Sequence, residues 1–350
     1  MKNPFAQPGR WYRANLHTHT TTSDGAHPPA EMAERYRRKG YHVLALTDHE
    51  ATNDVAGLCR PGFLVLNGLE HGVPRRDDPN DMHHLVALNI PRDFAVTGKA
   101  ARDPNAFIRA VRAAGGETVL AHPYWSRHRY DQMAHLNGYV AVEVYNGTAN
   151  NIGRGCSETE WSQLLDAGRM VPAVAVDDCH NGRDCFQGWV WLKLAKLTPR
   201  HVMEALRSGC YYSSTGPRIT DLRISKDGRL SLRCSPARSV YVIVHNAVLG
   251  AAYHAGRTPL RAVSFHVPPE WTCFRVVVED AAGRRAWNKP PHWPFAKWRP
   301  NRGDRRKVGR YRLDALFRSQ LVALLPRRRP RTERVVSWRG RSARRAWAGR

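Results

Sequence analysis

Six short apolar runs, several of them separated by helix-like segments, set the strongest constraint on how this chain folds. The runs are rich in Val and Leu, apolar on both faces and of strand length, which is typical of buried parallel strands. Between them lie helical patterns such as PAEMAERYRRKG, which opens on proline and closes on glycine, and NAFIRAVRAAGG, for which asparagine is a suitable N-cap. The alternation predicts a parallel α/β fold from about residue 11 to residue 210, and the number of units favours a barrel over an open sheet. The six runs are YHVLALTDH, FLVLNGLEH, HHLVALNI, ETVLAHPYW, VAVEVYNG and MVPAVAVDDCH.

A different pattern begins near residue 218. The segment ITDLRISKDGRLSLRCSP contains two alternating strands around a turn at residues 226–229, and the strand patterns RSVYVIVHN, AVSFHVP and FRVVVEDAAGR follow it. We therefore predict a barrel at 11–217, a small all-β, sandwich-like appendage at 218–290 and a basic tail at 291–350. The tail holds 19 Lys and Arg against 3 Asp and Glu, which accounts for +16 of the formal net charge of +25.

Hydropathy and cysteine usage bear on the cellular location. No run reaches the roughly 18 apolar residues that a membrane span needs, and the N-terminal MKNPFAQPGRWYR lacks the apolar centre of a signal peptide. The seven cysteines are odd in number and form no C-x-x-C pair, which fits neither a secreted disulfide framework nor a zinc ribbon. We therefore expect a cytoplasmic protein whose thiols are reduced and mostly buried.

Histidine and carboxylate residues fall at the C-terminal ends of the predicted strands, where parallel α/β barrels assemble their active sites. Alternate residues of a strand point the same way, so His17 and His19 suit a shared ion, and Asp178 and His180 suit one from the opposite side. Imidazole and carboxylate together suit Zn²⁺, Mn²⁺ or Fe²⁺. Nine ligands are too many for one ion and predict two or three, with Glu70 bridging two of them. The nine are His17, His19, Asp24, His49, Glu70, His84, His122, Asp178 and His180.

Each of these motifs alone is weak support for a metal site. A single H-x-H on a strand is more often a surface or core pair, and an isolated TDH, AHP or DDCH has the same bland alternative. Their joint occurrence at successive strand ends is what favours metal binding. The chain has no G-x-S-x-G elbow, no G-x-x-x-x-G-K-[ST] loop, no G-x-G-x-x-G after a strand and no H-E-x-x-H. Metal-activated water is the nucleophile that remains.

The motifs HTHTTTSDG, LALTDHE, GLEHG, HHLVAL, LAHPYW and VDDCH resemble, in order, those of the PHP (polymerase and histidinol phosphatase) superfamily. The downstream segment GWVWLKLAKLTPRHVMEALRSGCYYSSTGPRI resembles the branch of metallohydrolases related to the carbaryl hydrolases CehA and McbA. The resemblance spans about residues 11–290. It implies a distorted seven-stranded (β/α) barrel with two or three metal ions at its C-terminal face.

The resemblance also implies how the ligands are shared among the ions. His83 competes with His84, and His84 is preferred because it directly precedes the apolar triplet LVA. Asp177 is expected to point away from the ions and, at most, to hydrogen-bond to a ligand residue. The implied sets are His17, His19, Glu70 and Asp178 for one ion, Glu70, His84 and His122 for a second, and Asp24, His49 and His180 for a third.

The implied reaction is the hydrolysis of an ester. Phosphomonoesters, phosphodiesters including nucleotide ends, and carbamate esters are all handled on this scaffold. His180 or His49 is the candidate proton donor to the leaving group. Side chains near the site strands are candidates for holding an anionic or aromatic substrate, with solvated arginines and plain aromatic packing as the alternatives. They are Arg127, Arg129, Arg183, Tyr124 and Trp125.

The basic tail supplies a hypothesis from another class. RYRLDALFRSQLVALLPRRRPR predicts a basic helix with one apolar stripe, and SWRGRSARRAW interleaves Arg with Trp. Such a tail suits nucleic acid or an anionic membrane surface, although a docking helix or a plain extension is commoner. The alternative function is thus a metal-stabilised binding protein whose tail contacts the partner. The stripe comprises Leu313, Leu316, Phe317, Leu321 and Leu324.

Overall fold

The computed structural model describes residues 3–75, 78–245 and 250–288, and the predicted tail lies outside these residues. The helices are α1 (Pro29–Arg38), α2 (Pro104–Ala113), α3 (Tyr130–Ala134), α4 (Gly147–Asn150), α5 (Glu158–Asp166) and α6 (Pro199–Ser208), with 3-10 turns at Pro4–Ala6, Ala56–Leu58 and Gly98–Ala101. The strands are β1 (Arg10–Asn15), β2 (Val43–Leu46), β3 (Leu64–Arg75), β4 (Asp78–Leu88), β5 (Glu117–Leu120), β6 (Ala141–Asn146), β7 (Ala173–Val176), β8 (Trp189–Leu194), β9 (Tyr211–Ser214), β10 (Ile219–Ile224), β11 (Arg229–Ala237), β12 (Ser239–Val244), β13 (Gly250–His254), β14 (Leu260–His266), β15 (Phe274–Glu279) and β16 (Arg285–Asn288).

One curved sheet organises the first part of the chain, in the order β8-β1-β2-β3-β4-β5-β6-β7. The neighbours β1, β2 and β3 pair in parallel, as do β5, β6 and β7, whereas β4 is antiparallel to β3 and β5, and β8 to β1. A parallel bridge between Thr18 and Cys179 brings the chain that follows β7 beside the chain that follows β1. The strand ends on that side therefore meet, and a single apolar cluster collects side chains from every strand from β1 to β8.

This architecture confirms a mixed α/β fold with a large sheet but differs from a regular (β/α)7 alternation. Only residues 76–77 separate β3 from β4, and a 3-10 turn rather than an α-helix lies between β2 and β3. The run HHLVALNI, predicted as a parallel strand, contributes to the antiparallel β4. The reason is that a strand buried on both faces has the same apolar pattern in either orientation.

Local signals fix where the helices begin and end. Helix α1 begins at Pro29 and ends before Gly40, whose φ of 75° favours glycine, as predicted. The N-cap of helix α2 is Asp103 rather than the predicted Asn105. The carboxylate of Asp103 accepts hydrogen bonds from the backbone N–H groups of Asn105 (2.9 Å) and Ala106 (3.2 Å), so the helix begins two residues earlier than predicted. The helices within the described ranges fall short of the length and hydrophobicity of a bilayer-spanning segment.

The predicted β-rich part is confirmed. The hairpin of β10 and β11 closes with Ile224 opposite Leu230, and β14 completes a three-stranded sheet. The strands β13, β12, β15, β16 and β9 extend the large sheet beyond β8, so hydrogen bonding is continuous across residue 217. Apolar side chains from both sheets fill the space between them, as in a sandwich. β13 and β16 were not predicted, because they are short and carry few β-branched residues.

A buried network of polar side chains connects α5 with the β-rich part. Arg275 on β15 is 2% exposed and donates to Nε2 of His245 (2.9 Å) and to Glu158 (3.2 Å). The Nδ1–H group of His245 donates to Asp166 (2.7 Å) at the end of α5. Burial and the guanidinium charge of Arg275 lower the pKa of His245 to about 4, so its imidazole is neutral at pH 7.

Because His245 is neutral in this network, we expect the free energy of unfolding to decrease at acid pH. An unfolded histidine has a pKa near 6.5, so between pH 6.5 and pH 4 only the unfolded chain binds the proton. The contribution of His245 to the free energy of unfolding is complete above pH 6.5 and is lost as the pH falls towards 4. At about 1.4 kcal/mol per pKa unit the loss is roughly 3 kcal/mol. His245→Gln should show a correspondingly smaller decline in the free energy of unfolding, measured by urea denaturation from pH 7 to pH 4. The exposed His254→Gln is the control, and equal declines in both variants would contradict the prediction.

Candidate metal centre

The predicted ligands come together where the strand ends meet. His17 and His19 follow β1, His49 follows β2, Glu70 and His84 lie on β3 and β4, His122 follows β5, and Asp178 and His180 follow β7. Glu70 lies at the middle of this group with only 1% of its surface exposed. Its two carboxylate oxygens approach imidazole nitrogens of five histidines at 2.9–3.3 Å, namely His17, His19, His49, His84 and His122.

Four buried side chains form an inner cage. Nε2 of His17 and Nε2 of His19 are 3.1 Å apart, and each lies 3.2–3.3 Å from Oε2 of Glu70. Oδ1 of Asp178 lies 3.2 Å from Nε2 of His17 and 3.0 Å from Nε2 of His19. Ligands at about 2.0 Å from a tetrahedral ion are about 3.3 Å from each other. The five distances therefore match five of the six edges of a tetrahedron around one divalent ion.

The hydrogen bonding of Asp178 supports the fit of a metal ion to the inner cage. Its Oδ1 is buried and has no hydrogen bond of good geometry, although two imidazole nitrogens are close to it. A buried carboxylate oxygen is costly to leave unsatisfied. A cation at the centre of the cage would satisfy this oxygen and the imidazole lone pairs together.

A second group also surrounds Glu70, with two histidines at Oε1 and a third at Oε2, the oxygen that faces the inner cage. Nδ1 of His84 lies 2.9 Å and Nε2 of His122 lies 3.0 Å from Oε1 of Glu70, and Nδ1 of His49 lies 3.3 Å from its Oε2. His49, Glu70 and His84 together have the spacing of a metal site. Because the two oxygens of Glu70 face different sets of histidines, this carboxylate is placed to be shared by two ions.

A third group lies further out. The Asp24 carboxylate lies 3.4 Å from Nδ1 of His19, 3.7 Å from Nε2 of His49 and 3.5 Å from Nε2 of His180. Nδ1 of His180 hydrogen-bonds the carbonyl oxygen of Asp178 (2.7 Å), which fixes the proton on Nδ1 and leaves the Nε2 lone pair facing Asp24. The side chain of Asp24 is 54% exposed, so this group opens to solvent.

Charge in the cluster shifts the proton affinities strongly. Burial alone would lower the pKa of His19, but the carboxylates of Asp178 and Glu70 outweigh it and raise the pKa to about 9. The same balance raises the pKa of His17 well above its ordinary value. Burial alone would raise the pKa values of Glu70 and Asp178. The surrounding imidazoles lower them by more, so both pKa values lie well below their usual range. A cation therefore replaces protons when it enters this site.

Two further aspartates hold the loops that carry the ligands. Asp48 of the TDH motif accepts hydrogen bonds from the backbone N–H and the hydroxyl of both Thr20 and Ser23, at 2.7–3.1 Å. Asp177 points away from the cage, as expected. Its oxygens accept from the Tyr36 hydroxyl (2.7 Å) and from backbone N–H groups of residues 186–188. Both carboxylates therefore fix the conformation of the backbone next to candidate ligands.

Comparison with known proteins points in the same direction as this geometry. Residues 15–121 match the PHP domain. The match includes the candidate ligands from His17 to His84, and the fold adds the candidates His122, Asp178 and His180 from the chain beyond it. Together with the His/Glu/Asp cluster, it supports the prediction of a metal-dependent hydrolase.

Two curated relatives and one solved structure are similar to the chain. A 3',5'-nucleoside bisphosphate phosphatase of Chromobacterium violaceum is 41% identical over 175 residues, which are 44% of this chain and 60% of the relative. A 5'-3' exoribonuclease of Haemophilus influenzae is 28% identical over 188 residues, 46% of this chain and 65% of the relative. The chain thus spans less than two thirds of either relative. A two-domain protein of Bacteroides vulgatus containing a predicted PHP-like metal-dependent phosphoesterase has a TM-score of 0.49 and 15% identity, covering 83% of this chain and 90% of its own.

The structure distinguishes the two neighbouring histidines of the motif HHLVAL. His84 lies beside Glu70, whereas Nδ1 of His83 contacts Nε2 of His128 at 2.9 Å, outside the ligand group. The reason is that successive side chains of β4 point to opposite faces of the sheet. Of the two, His84 is the one that lies in the group of candidate ligands.

One expectation is wrong. Cys179 and Cys185 form a disulfide with a Cα–Cα distance of 5.0 Å, so not all thiols are reduced. This pair closes the loop that carries His180, next to Asp178. Its six-residue separation lacks the short C-x-x-C spacing, and for that reason the sequence did not reveal it. Among the described cysteines, Cys210, Cys234 and Cys273 lie outside this disulfide and are buried, as expected.

The predicted substrate residues differ in their surroundings. The ring of Trp125 packs edge-on against His122 and His84, at centroid distances of 4.9 and 5.6 Å, and is 41% exposed. Tyr124 is 42% exposed, and the guanidinium of Arg154, which was not predicted, lies over its ring at 5.8 Å. The structure does not bring the predicted arginines into the ligand group: Arg129 pairs with Asp131, and Arg127 and Arg183 are exposed.

Sequence reasoning also missed the buried carboxylate of Glu143. The run VAVEVYNG was predicted only as a strand, and Glu143 lies in its middle on β6. It is 1% exposed, and its Oε1 lies 2.8 Å from Nδ1 of His17. A charged residue inside an apolar strand was the available signal, because such residues are rarely buried without a partner.

Proposed function

We propose that this protein is a metal-dependent phosphoesterase that acts on phosphate esters of nucleotides. The inner cage carries the proposal, because four buried ligand atoms of His17, His19, Glu70 and Asp178 have tetrahedral spacing. The imidazole and carboxylate donors suit Zn²⁺, Mn²⁺ or Fe²⁺, and the sharing of Glu70 favours two or three ions. Bound divalent ions would supply an acidified water molecule and neutralise charge on the phosphate oxygens.

The side chains divide the remaining work. Glu70 holds the two inner groups of histidines at a fixed separation through its two oxygens. His180 is fixed as a ligand by its Nδ1 hydrogen bond, so it is poorly placed to release a proton. His49 is the better candidate acid. Its side chain is 34% exposed, and it can donate a proton only while it does not bind an ion.

The surface beside the second group supports a nucleotide substrate. Trp125 is 41% exposed and packs beside His122 and His84, and its neighbour in the chain, Tyr124, is 42% exposed. Aromatic rings stack on any nucleobase. Arg154 adds a positive charge at Tyr124, suited to a second phosphate. The names of the two relatives, a nucleoside bisphosphate phosphatase and an exoribonuclease, point to the same substrate class.

A three-substrate assay tests the proposal. The Mn²⁺-loaded and Zn²⁺-loaded proteins are assayed with adenosine 3',5'-bisphosphate, bis(p-nitrophenyl) phosphate and 1-naphthyl methylcarbamate. We expect turnover of at least one phosphate ester, with the bisphosphate preferred, and loss of that turnover in His122→Ala. The exposed His135→Ala should behave as wild type. Turnover of the carbamate alone would instead place the chain with the carbaryl hydrolases. No rate sensitive to His122→Ala on any substrate would favour a binding protein.

A further inference from the structure

Strand β6 carries no predicted ligand, yet two of its residues contact ligands on three other segments. Oε1 of Glu143 accepts a hydrogen bond from Nδ1 of His17 (2.8 Å), and Oε2 accepts from the backbone N–H of His122 (2.8 Å). Asn146 donates through Nδ2 both to Oε2 of Glu143 and to Oδ2 of Asp178, each at 3.0 Å. The described contacts of Glu143 do not place it in any of the metal-spaced groups.

The contact with His17 determines which nitrogen faces the cage. A carboxylate at Nδ1 keeps the proton there, so the Nε2 lone pair points towards His19 and Glu70. A histidine oriented by a carboxylate in this way is also a more basic metal ligand. His17 is fully buried, so no water molecule can take over the role of Glu143 without a change in packing.

The other two contacts hold strained backbone. His122 has φ of 23° and Asp178 has φ of 55°, in the left-handed region that residues with side chains rarely adopt. His122 also precedes a proline, which restricts its conformation further. Glu143 binds the backbone of His122 and Asn146 binds the side chain of Asp178. Strand β6 thus holds both strained ligands at the positions that the cage requires.

We propose that Glu143, supported by Asn146, is a positioning residue that sets the metal affinity of the inner cage by orienting His17, His122 and Asp178. The inference rests on the proposed metal centre and assigns to this chain a carboxylate that acts behind the ligands without touching the ion. Loss of such partners typically weakens metal binding by about 10–100-fold. The expected effect is therefore on affinity and ligand geometry rather than on folding.

The test compares Glu143→Gln with Glu117→Gln in the full chain. Glu117 is equally buried, at 2% exposed, but pairs with Arg112 and Arg207 away from the ligands. Zn²⁺ dissociation constants are measured by competition with a chromophoric chelator, and the visible absorption of the Co²⁺-loaded protein reports the ligand geometry. We expect Glu143→Gln to raise Kd by about 10–100-fold and to change the Co²⁺ spectrum, and Glu117→Gln to do neither.

The outcomes separate this inference from the proposed function. Wild-type affinity together with a wild-type Co²⁺ spectrum in Glu143→Gln would overturn the role of Glu143 and leave the metal centre standing. Failure of the wild-type chain to bind Zn²⁺ or Co²⁺ would overturn both. Should Glu143→Gln not fold, Glu143→Asp decides. It keeps the charge but is too short to reach both His17 and His122, so weaker Zn²⁺ binding supports the inference and unchanged binding refutes it.

Discussion

Replacing Glu70 by glutamine is expected to lower kcat/KM for a phosphate ester by at least about 100-fold. The size of the side chain is kept, but the shared negative charge is lost and an NH₂ group faces imidazole nitrogens. Loss of a residue behind the ligands already costs about 10–100-fold, and Glu70 is a candidate ligand in contact with five histidines. Initial rates at saturating Mn²⁺, with bound metal counted by mass spectrometry, measure the effect.

Glu50→Gln is the matched control for Glu70→Gln. The Glu50 carboxylate also approaches an imidazole, at 2.7 Å from Nδ1 of His71, but it is 54% exposed and lies outside the metal-spaced groups. We expect this variant to keep wild-type rates. Near-wild-type turnover by Glu70→Gln, with its metal content unchanged, would rule out the central role of Glu70.

Metal removal is expected to have the second large effect. A divalent ion present at 100 times its Kd stabilises the folded chain by about 2.7 kcal/mol, which corresponds to a rise in Tm of about 4 °C per ion at an unfolding entropy of about 2.1 cal/mol/K per residue. Dialysis against a chelator should therefore lower Tm and abolish turnover, and added Mn²⁺ or Zn²⁺ should restore both.

The same experiment has a predicted pH dependence. Without metal, burial lowers the pKa of His19, but the carboxylates of Asp178 and Glu70 outweigh this effect and raise the pKa to about 9. An incoming ion therefore competes with a proton at neutral pH. Affinity is greatest above pH 9 and weakens about tenfold per pH unit below it for each proton displaced. Calorimetric titrations at pH 6.5, 7.5 and 8.5, in two buffers of different ionisation enthalpy, measure Kd and the protons released. A Kd independent of pH, with no proton release, would refute this balance of charges.

The ligand residues were predictable because their signal is local. HTH, TDH, GLEH, AHP and DDCH each follow an apolar run, and parallel strands bring such ends to one side of a sheet. The same rule could not reveal the antiparallel β4, since its apolar pattern is the same in both directions. Nor does it choose between His83 and His84, and the preference for His84 came instead from the resemblance, in which the histidine directly precedes the apolar triplet LVA.

The contacts of the supporting residues were not predictable for a different reason. Glu143 and Asn146 act through contacts with residues 21–126 positions away in the chain, and no short pattern records such distances. The disulfide between Cys179 and Cys185 joins loop positions whose approach depends on the turn made by residues 180–184. The tertiary structure, rather than local preference, determines these features.

The burial of the ligands changes steeply from the inner cage to the outer group. His17 and His19 are fully buried, whereas the Asp24 side chain is 54% exposed. An ion in the outer group can leave by replacing a few ligands with water, but an ion in the inner cage can leave only after the surrounding protein opens. Exchange with the medium will therefore be fast at one end of the site and slow at the other. A purified sample can then retain its inner ion and lack its outer one, so that metal content and activity describe different parts of the same centre.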